Sequence, residues 1–255
     1  MSMDSKTKDL RFLNKFHEMA MKFEEEQASS LEKAAEKMAD AIAEDRLIYI
    51  FGGGGHTTLV MQELFWRAGG LANLCPMIDF AIHPVTPAYM YLAHERMHGV
   101  GNSLVDYYGI SEGDVILVFH SYGFNPPTID CALRAGEKGA TVIGVSSKDW
   151  DVNIPKDFPI RHSSGHHLSG ISDIYIENYV PFGDTVIKHE GFDQPTTGIS
   201  STIDFYIAHR LEMECVKACL ARGITPPVWS SANIPGGDEK NEALRDKYNS
   251  RVKFL

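Results

Sequence analysis

The sequence is poor in cysteine and has no long apolar run. Its cysteines are Cys75, Cys131, Cys215 and Cys219. They form no CxxC pair, which favours buried free thiols in a reducing compartment. No stretch reaches the roughly 18 consecutive apolar residues of a membrane span, and the charged first 30 residues contain no apolar core of a signal peptide. We therefore expect a cytoplasmic protein without a membrane partner.

Positive charge is also in deficit. The 255 residues include 24 Lys and Arg against 34 Asp and Glu, for a net charge of −10. This balance argues against a nucleic-acid partner, because nucleic-acid binders carry a basic face. An acidic chain can still bind an anion locally, since the backbone N–H groups at a helix start need no net positive charge. The composition is otherwise that of an ordinary globular protein that can bury a full core.

After residue 45, short apolar runs alternate with helical patterns. The apolar runs cover 47–51, 71–78, 115–119, 141–145 and 174–176. Helical spacing of apolar residues covers 58–68, 86–108, 127–138 and 200–220. This alternation is typical of a doubly wound parallel sheet, and continuous apolar runs suit strands that are covered on both faces. The sequence therefore predicts an α/β fold with a five-stranded parallel sheet.

We expect one domain over residues 1–255, consisting of a helical extension (1–45), an α/β core (46–222) and an ordered tail (223–255). The extension carries helical spacing of apolar residues from 5 to 45. This stripe is longer than one short helix needs. We therefore expect Leu13 and Phe16 to lie in the interface of a homodimer or a higher homo-oligomer.

A glycine-rich turn joins the first predicted strand to a helix. It reads Gly52-Gly53-Gly54-Gly55-His56-Thr57-Thr58. Glycines permit positive φ and close approach of a ligand, and a helix start attracts anions. The turn lacks the lysine of a P-loop and the third glycine of a dinucleotide fingerprint. Ligands of doubly wound sheets bind at the carboxyl ends of the strands. We therefore predict ligand binding by Gly53, Gly54, Gly55, His56 and Thr57.

Polar side chains also follow the third and fifth predicted strands. The third strand ends in His120-Ser121-Tyr122-Gly123-Phe124-Asn125. Helix capping would explain Asn125 alone, so we predict that Ser121, Tyr122, Gly123 and Asn125 bind the ligand. Asp184 lies in a Gly-Asp turn after the fifth strand and is a further candidate, although turn formation would also explain it.

Several motifs occur in an order that is similar to a known family. They are Glu63 with Arg67-Ala68-Gly69-Gly70-Leu71-Ala72, then Glu95-Arg96, Gly113-Asp114-Val115, Val180-Pro181-Phe182-Gly183-Asp184, Pro226-Pro227-Val228, Ser231-Ala232-Asn233 and Gly236-Gly237-Asp238. From about residue 10 to its end the chain resembles the sugar isomerase (SIS) domain family. More narrowly it resembles the phosphosugar-isomerase-like branch related to phosphoheptose isomerases. The resemblance implies a flavodoxin-like sheet, a sugar or sugar-phosphate ligand, and sites at subunit interfaces.

The second loop departs from the family pattern, which usually reads Ser-x-Ser-Gly, with the serines holding the substrate phosphate. His120 and Tyr122 stand in the serine places, and Ser121 lies between them. Thr57 keeps a hydroxyl where the family has serine in the first loop. Imidazole and phenol can donate to an anion or to sugar hydroxyls, so the pattern leaves open whether the sugar carries a phosphate.

The resemblance implies interconversion of an aldose and a ketose through an enediol, in which a base moves a proton between C1 and C2. Glu63 lies where some family members place a catalytic glutamate and is the predicted base, although a packing role would also fit. His120 or His83 would assist ring opening or proton transfer. The alternatives are a sugar-phosphate-binding sensor without catalysis and a lyase. The sequence shows no helix-turn-helix before residue 45, which favours an enzyme.

The remaining histidines raise the question of a metal. His94-Glu95-Arg96-Met97-His98 spells HExxH, whose spacing would place both imidazoles on one helix face, but no third zinc ligand follows. We assign no metal ligand and expect no cofactor. A metal site of another kind, drawing on His56, His83, His120 or this pair, stays open. For His162, His166 and His167 we expect a solvated loop.

Overall fold

A computed structural model of the protein describes residues 8–255. The predicted helix over 5–45, whose first three residues lie outside the described ones, consists of two helices, α1 (Arg11–Glu26) and α2 (Ala28–Ala43). The break falls at Gln27. Its side chain accepts a hydrogen bond from the Glu177 N–H at 3.1 Å and donates to the Tyr179 hydroxyl at 2.7 Å. The side chain at the break is therefore held by contacts that are distant in sequence.

The sheet confirms the predicted fold class. Its strands are β1 (Ile48–Gly52), β2 (Leu74–Pro76), β3 (Val115–Phe119), β4 (Thr141–Ser146) and β5 (Ile174–Glu177). All neighbouring strands are parallel, in the order β2-β1-β3-β4-β5. All residues of β1 and β3 are buried, as expected for strands covered on both faces.

Helices cover both faces of this sheet. Besides α1 and α2, the described residues form the helices α3 (Thr58–Leu64), α4 (Ala88–His94), α5 (Val100–Tyr108), α6 (Pro126–Glu137), α7 (Lys148–Asn153), α8 (Ser200–Ala221) and α9 (Gly237–Tyr248). On one face α2 packs on β3 and β5 and α3 packs on β1, and on the other face α6 packs on β3 and β4. α8 packs against α2 and α3, and α5 packs against α6. Right-handed crossovers place α3 and α6 on opposite faces of the sheet. The four cysteines are free and buried in this core, as predicted.

Three elements differ from the sequence prediction. The expected helix over 86–108 is divided into α4 and α5, with Gly99 at a φ of 87° between them. A hairpin of β6 (Thr185–His189) and β7 (Phe192–Gly198) follows β5, and α9 lies in the tail. The hairpin and α9 bury few residues. Neither segment therefore shows the apolar periodicity that predicts a helix or a strand from sequence.

The homo-oligomer expected from Leu13 and Phe16 stays a prediction. Phe16 packs within the chain against Tyr206, with the ring centroids 5.8 Å apart. Leu13 is 57% exposed and is free to meet a partner. Among residues 8–255, no helix has the length and apolar content to cross a membrane.

Candidate functional site

The glycine turn after β1 is compact because its glycines touch protein atoms. None of the glycines from 52 to 55 has a φ in the left-handed region, so the turn does not use the positive φ that glycine permits. A Cβ on Gly52 would stand 2.2 Å from the Thr57 carbonyl oxygen, and one on Gly53 would stand 1.9 Å from Thr128 Oγ1. Thr57 Oγ1 accepts from the Gly54 N–H and donates to the Gly54 carbonyl. The turn is therefore fixed by close approach.

The turn lies beside the loop that follows β3. The Gly53 N–H donates to the Phe119 carbonyl at 3.1 Å, which joins the ends of the two strands. Asn125 Nδ2 donates to the carbonyls of Gly53 at 2.7 Å and Glu95 at 3.1 Å. Asn125 thereby holds together the two loops and the end of α4. Gly53 and Asn125 therefore stabilise the loops around the cavity without lining it.

A cavity of about 250 Å³ opens between these loops. The predicted site residues that line it are Gly54, Gly55, His56, Thr57, His120, Ser121, Tyr122 and Asp184. It is also lined by four residues that the sequence did not indicate as a site, namely Tyr91, Leu92, Glu95 and Ser200. The carboxyl ends of β1 and β3 thus bring most of the predicted polar side chains to one place.

Glu95 directly follows α4 and is only 9% exposed. Its Oε2 accepts a hydrogen bond from the Gly55 N–H at 2.9 Å. Burial raises the pKa of this carboxyl, and the Gly55 N–H partly offsets the effect. The Gly55 N–H, which the sequence predicted to bind an external anion, therefore already donates to a carboxylate of the protein. The Glu95-Arg96 motif marked the residue but gave no sign of this role.

The His120 side chain also lines the cavity, where it is a neutral hydrogen-bond donor. Its Nδ1 accepts from the Gly123 N–H at 2.9 Å, so in the neutral ring the proton is on Nε2. Burial lowers the pKa of His120 to about 3. Nε2 lies 2.8 Å and Glu95 Oε2 lies 3.3 Å from the point where a Cβ on Gly54 would stand. An imidazole and a carboxylate thus converge above Gly54, where no larger residue would fit.

Aromatic contacts fix Tyr122 at the cavity wall. Its ring packs edge-on against His120 and at a tilt on Trp150, each with the centroids 4.4 Å apart. Burial raises the pKa of Tyr122, so the phenol keeps its proton. Gly123 lies next to Tyr122 but does not line the cavity. Only glycine fits this position, because its φ is 69° and a Cβ there would stand 2.5 Å from Ser146 Oγ.

Two aspartates lie at the start of α8. Asp184 Oδ1 accepts from the N–H groups of Ile199 and Ser200, at 3.0 and 2.8 Å. Asp204 is fully buried and accepts from Asn178 Nδ2 at 2.8 Å and from Ser121 Oγ at 3.5 Å. Burial raises the pKa of Asp204 to about 7. The sequence did not indicate Asp204, which there is only a polar position in a helix.

Two predicted catalytic residues lie away from the cavity. Glu63 is on the side of α3 that meets α8, where its Oε1 lies 3.1 Å from Arg67 and 3.0 Å from His209. His83 is buried in the loop after β2, and its Nδ1 accepts from the Val85 N–H at 3.2 Å. Burial lowers the pKa of His83. Neither side chain meets the converging groups above Gly54.

The histidine patterns also differ from expectation. α4 ends at His94, so His94 and His98 do not share a helix face, and the HExxH geometry is absent. Of the three histidines in the loop of residues 162–167, only His166 is exposed. His167 is buried, and its Nε2 lies 2.9 Å from the Tyr122 carbonyl. The expectation of a solvated loop is therefore wrong for His167.

The strand order defines a doubly wound α/β protein, with a polar cavity at the carboxyl ends of its strands. The chain belongs to the SIS domain family, whose sequence model matches residues 11–147. A UPF0309 protein of Halalkalibacterium halodurans is 32% identical over 244 residues, which cover 96% of each chain. A UPF0309 protein of Listeria innocua is 35% identical and covers 90% of this chain and 91% of its own.

A solved structure has the same fold. A phosphoheptose isomerase from Francisella tularensis superimposes with a TM-score of 0.50 and 14% identity, over 81% of this chain and 95% of its own. At that identity the likeness concerns the fold. The function must therefore be argued from the residues of the cavity.

Proposed function

We propose that the protein is an isomerase that interconverts an aldose and a ketose. The observation that carries the proposal is the convergence of the Glu95 carboxylate and the neutral His120 imidazole above Gly54. Membership of the SIS domain family and the phosphoheptose isomerase named above support a sugar as the ligand. The cavity of about 250 Å³ favours a small sugar.

Aldose–ketose interconversion requires a proton to move between neighbouring carbons. Glu95 takes the proton from the hydroxyl-bearing carbon next to the carbonyl and returns it to the former carbonyl carbon. Between these two steps the hydroxyl proton passes to the former carbonyl oxygen, so the intermediate is an enediol. Burial raises the pKa of Glu95 toward the working pH, which makes the carboxylate a stronger base. The bond from the Gly55 N–H to Oε2 orients the carboxylate.

His120 stabilises the negative charge that develops on the carbonyl oxygen. Because burial lowers the pKa of His120 to about 3, the ring is neutral at pH 7 and offers the Nε2 proton as a hydrogen-bond donor. A donor that is already in place needs no reorganisation during the reaction. Ser121 and Tyr122 line the same cavity and can bind the sugar hydroxyls.

Exchange of substrate hydrogen with solvent tests the proposal. The protein is incubated in deuterated buffer with a panel of aldoses, ketoses and their phosphate esters, and deuterium at C1 and C2 is followed by NMR. We expect exchange together with interconversion for at least one aldose–ketose pair. Binding without exchange would instead support a sensor, and elimination products would support a lyase.

The cavity predicts a preference for a neutral sugar over its phosphate ester. His120 and Tyr122 fill the places of the family's phosphate-binding serines, and the carboxylate of Glu95 occupies the Gly55 N–H. The double variant His120→Ser with Tyr122→Ser would add two small hydroxyl donors and open space. A hydrogen bond to a charged group contributes roughly 1.5–3 kcal/mol, so phosphosugar affinity is expected to rise by ~100-fold or more.

Calorimetry of both proteins against paired sugars and sugar phosphates measures this effect. The wild type should bind the neutral sugar at least as well as its phosphate ester. Tyr122→Phe serves as the control, because it keeps the ring and should leave the space closed to phosphate. A wild type that prefers the phosphate, with no gain in the double variant, would show that Thr57, Ser121 and backbone N–H groups suffice for phosphate binding.

A further inference from the structure

Two imidazoles and a carboxylate meet outside the cavity. A nitrogen of His98, a nitrogen of His162 and an oxygen of Asp130 all lie within 4.8 Å of one another. His162 Nε2 is 3.1 Å from Asp130 Oδ1, and the rings of His98 and His162 have centroids 4.5 Å apart. The three residues come from separate segments, namely the α4–α5 connection, α6 and the loop after α7. We name them the His98–Asp130–His162 triad.

We propose that the His98–Asp130–His162 triad binds a divalent transition-metal ion, with Zn²⁺ as the first candidate. Two imidazoles and one carboxylate form a donor set that suits zinc and its neighbours better than magnesium or calcium, which prefer oxygen ligands. Zinc bonds of about 2.0–2.2 Å in a tetrahedron place ligand atoms roughly 3.3–3.6 Å apart. The pair of Asp130 and His162 is already close to that spacing, and the exposed His98 can rotate to complete it.

Hydrogen bonds to neighbouring groups orient two of these ligands, Asp130 and His162. Asp130 Oδ2 accepts from the Gly99 N–H at 2.6 Å, which leaves Oδ1 directed at His162. His162 Nδ1 accepts from the Ser164 N–H at 3.1 Å and lies 2.7 Å from Ser164 Oγ, which fixes the ring with Nε2 toward Asp130. The neutral ring therefore carries its proton on Nε2, and metal binding would move this proton to Nδ1, with Ser164 Oγ as its acceptor. Metal-binding histidines generally have such a partner on the second nitrogen, because it fixes the ring orientation.

Charge supplies a second argument. Asp130 is only 6% exposed, and among residues 8–255 it forms no ion pair with a lysine or an arginine. Buried carboxylates are usually paired with a cation or coordinate a metal. A divalent ion between Asp130 and the two imidazoles would supply this positive charge. Because His98 is exposed, solvent can reach the ion and complete its coordination.

The metal would join segments that position the cavity. His98 follows Glu95 by three residues in the α4–α5 connection, and the His162 N–H donates to the Phe124 carbonyl at 2.8 Å in the loop after β3. The ion would therefore fix the connection that carries Glu95 against α6. This role is structural and does not depend on the reaction proposed above.

Metal titration of the full chain without an affinity tag tests the proposal. The protein is treated with a chelator, dialysed and titrated with ZnCl₂ by calorimetry and with CoCl₂ by visible absorption. We expect one ion per chain, d–d bands typical of four-coordinate cobalt and a rise in Tm. His98→Ala and His162→Ala should each weaken binding by ~100-fold or more, because even the loss of an outer partner weakens binding by about 10- to 100-fold.

His166→Ala provides the matched control, since His166 is an exposed histidine in the same loop as His162. It should leave the affinity and the cobalt spectrum unchanged. Circular dichroism of His98→Ala is expected to match the wild type, because an exposed side chain supports little packing. The proposal is overturned if the chain binds no ion, or if His98→Ala and His162→Ala bind as tightly as His166→Ala. Sugar turnover is not measured, so this outcome is independent of the isomerase test.

Discussion

Replacing Glu95 with glutamine is expected to lower kcat for the isomerisation by about 10²- to 10⁴-fold, the usual contribution of a general base. The amide has nearly the shape of the carboxylate, and its oxygen can still accept from the Gly55 N–H. The loop should therefore keep its geometry, and KM should change little. What the variant loses is the ability to take a proton from carbon. Steady-state kinetics on the substrate identified by deuterium exchange measure both constants.

Glu63→Gln is the matched control for this variant. Glu63 is the glutamate that the family resemblance predicts as the base, but it lies between Arg67 and His209. We expect its replacement to leave kcat within a few-fold of the wild type. The assignment of Glu95 fails if Glu63→Gln loses turnover while Glu95→Gln retains it.

The sheet could be predicted because its strands are continuous apolar runs in a repeated order with helices. The run Val115–Phe119 is buried throughout, and its sequence signals that burial directly. The hairpin and α9 could not be predicted in this way, because both are largely exposed. The break at Gln27 could not be predicted either, since the hydrogen bond that its side chain accepts comes from β5, about 150 residues away.

For the same reason, only part of the candidate site could be predicted from the sequence. The loops containing Gly54 and His120 could be predicted because each follows a buried strand, and parallel strands end at one edge. Glu95 could not be placed, because its position depends on the end of α4 and on a bond to Gly55, forty residues earlier. The choice of Glu63 depended on the family resemblance alone. Contacts between distant segments decide which carboxylate reaches the cavity.

Asp204 beneath Ser121 leads to a prediction about pH. The pKa of this carboxyl rises from 3.8 to about 7 in the folded protein, with burial as the main cause. Asn178 and Ser121 donate to it and offset part of the effect. Well below pH 3.8 the group is protonated in both states. As the pH rises toward 7, the unfolded chain loses this proton while the folded protein retains it, so the free energy of unfolding falls.

The size of this loss follows from the shift. Each pKa unit corresponds to about 1.36 kcal/mol, so the stability contributed by the protonated group falls by about 3 kcal/mol between pH 4.5 and pH 8. Asp204→Asn cannot ionise, and its amide keeps partners for both Asn178 and Ser121. The variant should therefore gain stability relative to the wild type by about this amount over the same range. Urea unfolding at the two pH values measures the difference.

Asp193→Asn is the control for this experiment, because Asp193 is an exposed carboxylate on the β6–β7 hairpin. It should change the free energy of unfolding equally at both pH values. A difference between Asp204→Asn and the wild type that stays constant from pH 4.5 to pH 8 would mean that Asp204 does not retain its proton in the folded state. If the expected difference appears, protonated Asp204 can donate to Ser121 Oγ near neutral pH, whereas ionised Asp204 can only accept. Protonation would then decide whether the Ser121 hydroxyl is free to donate to a ligand in the cavity.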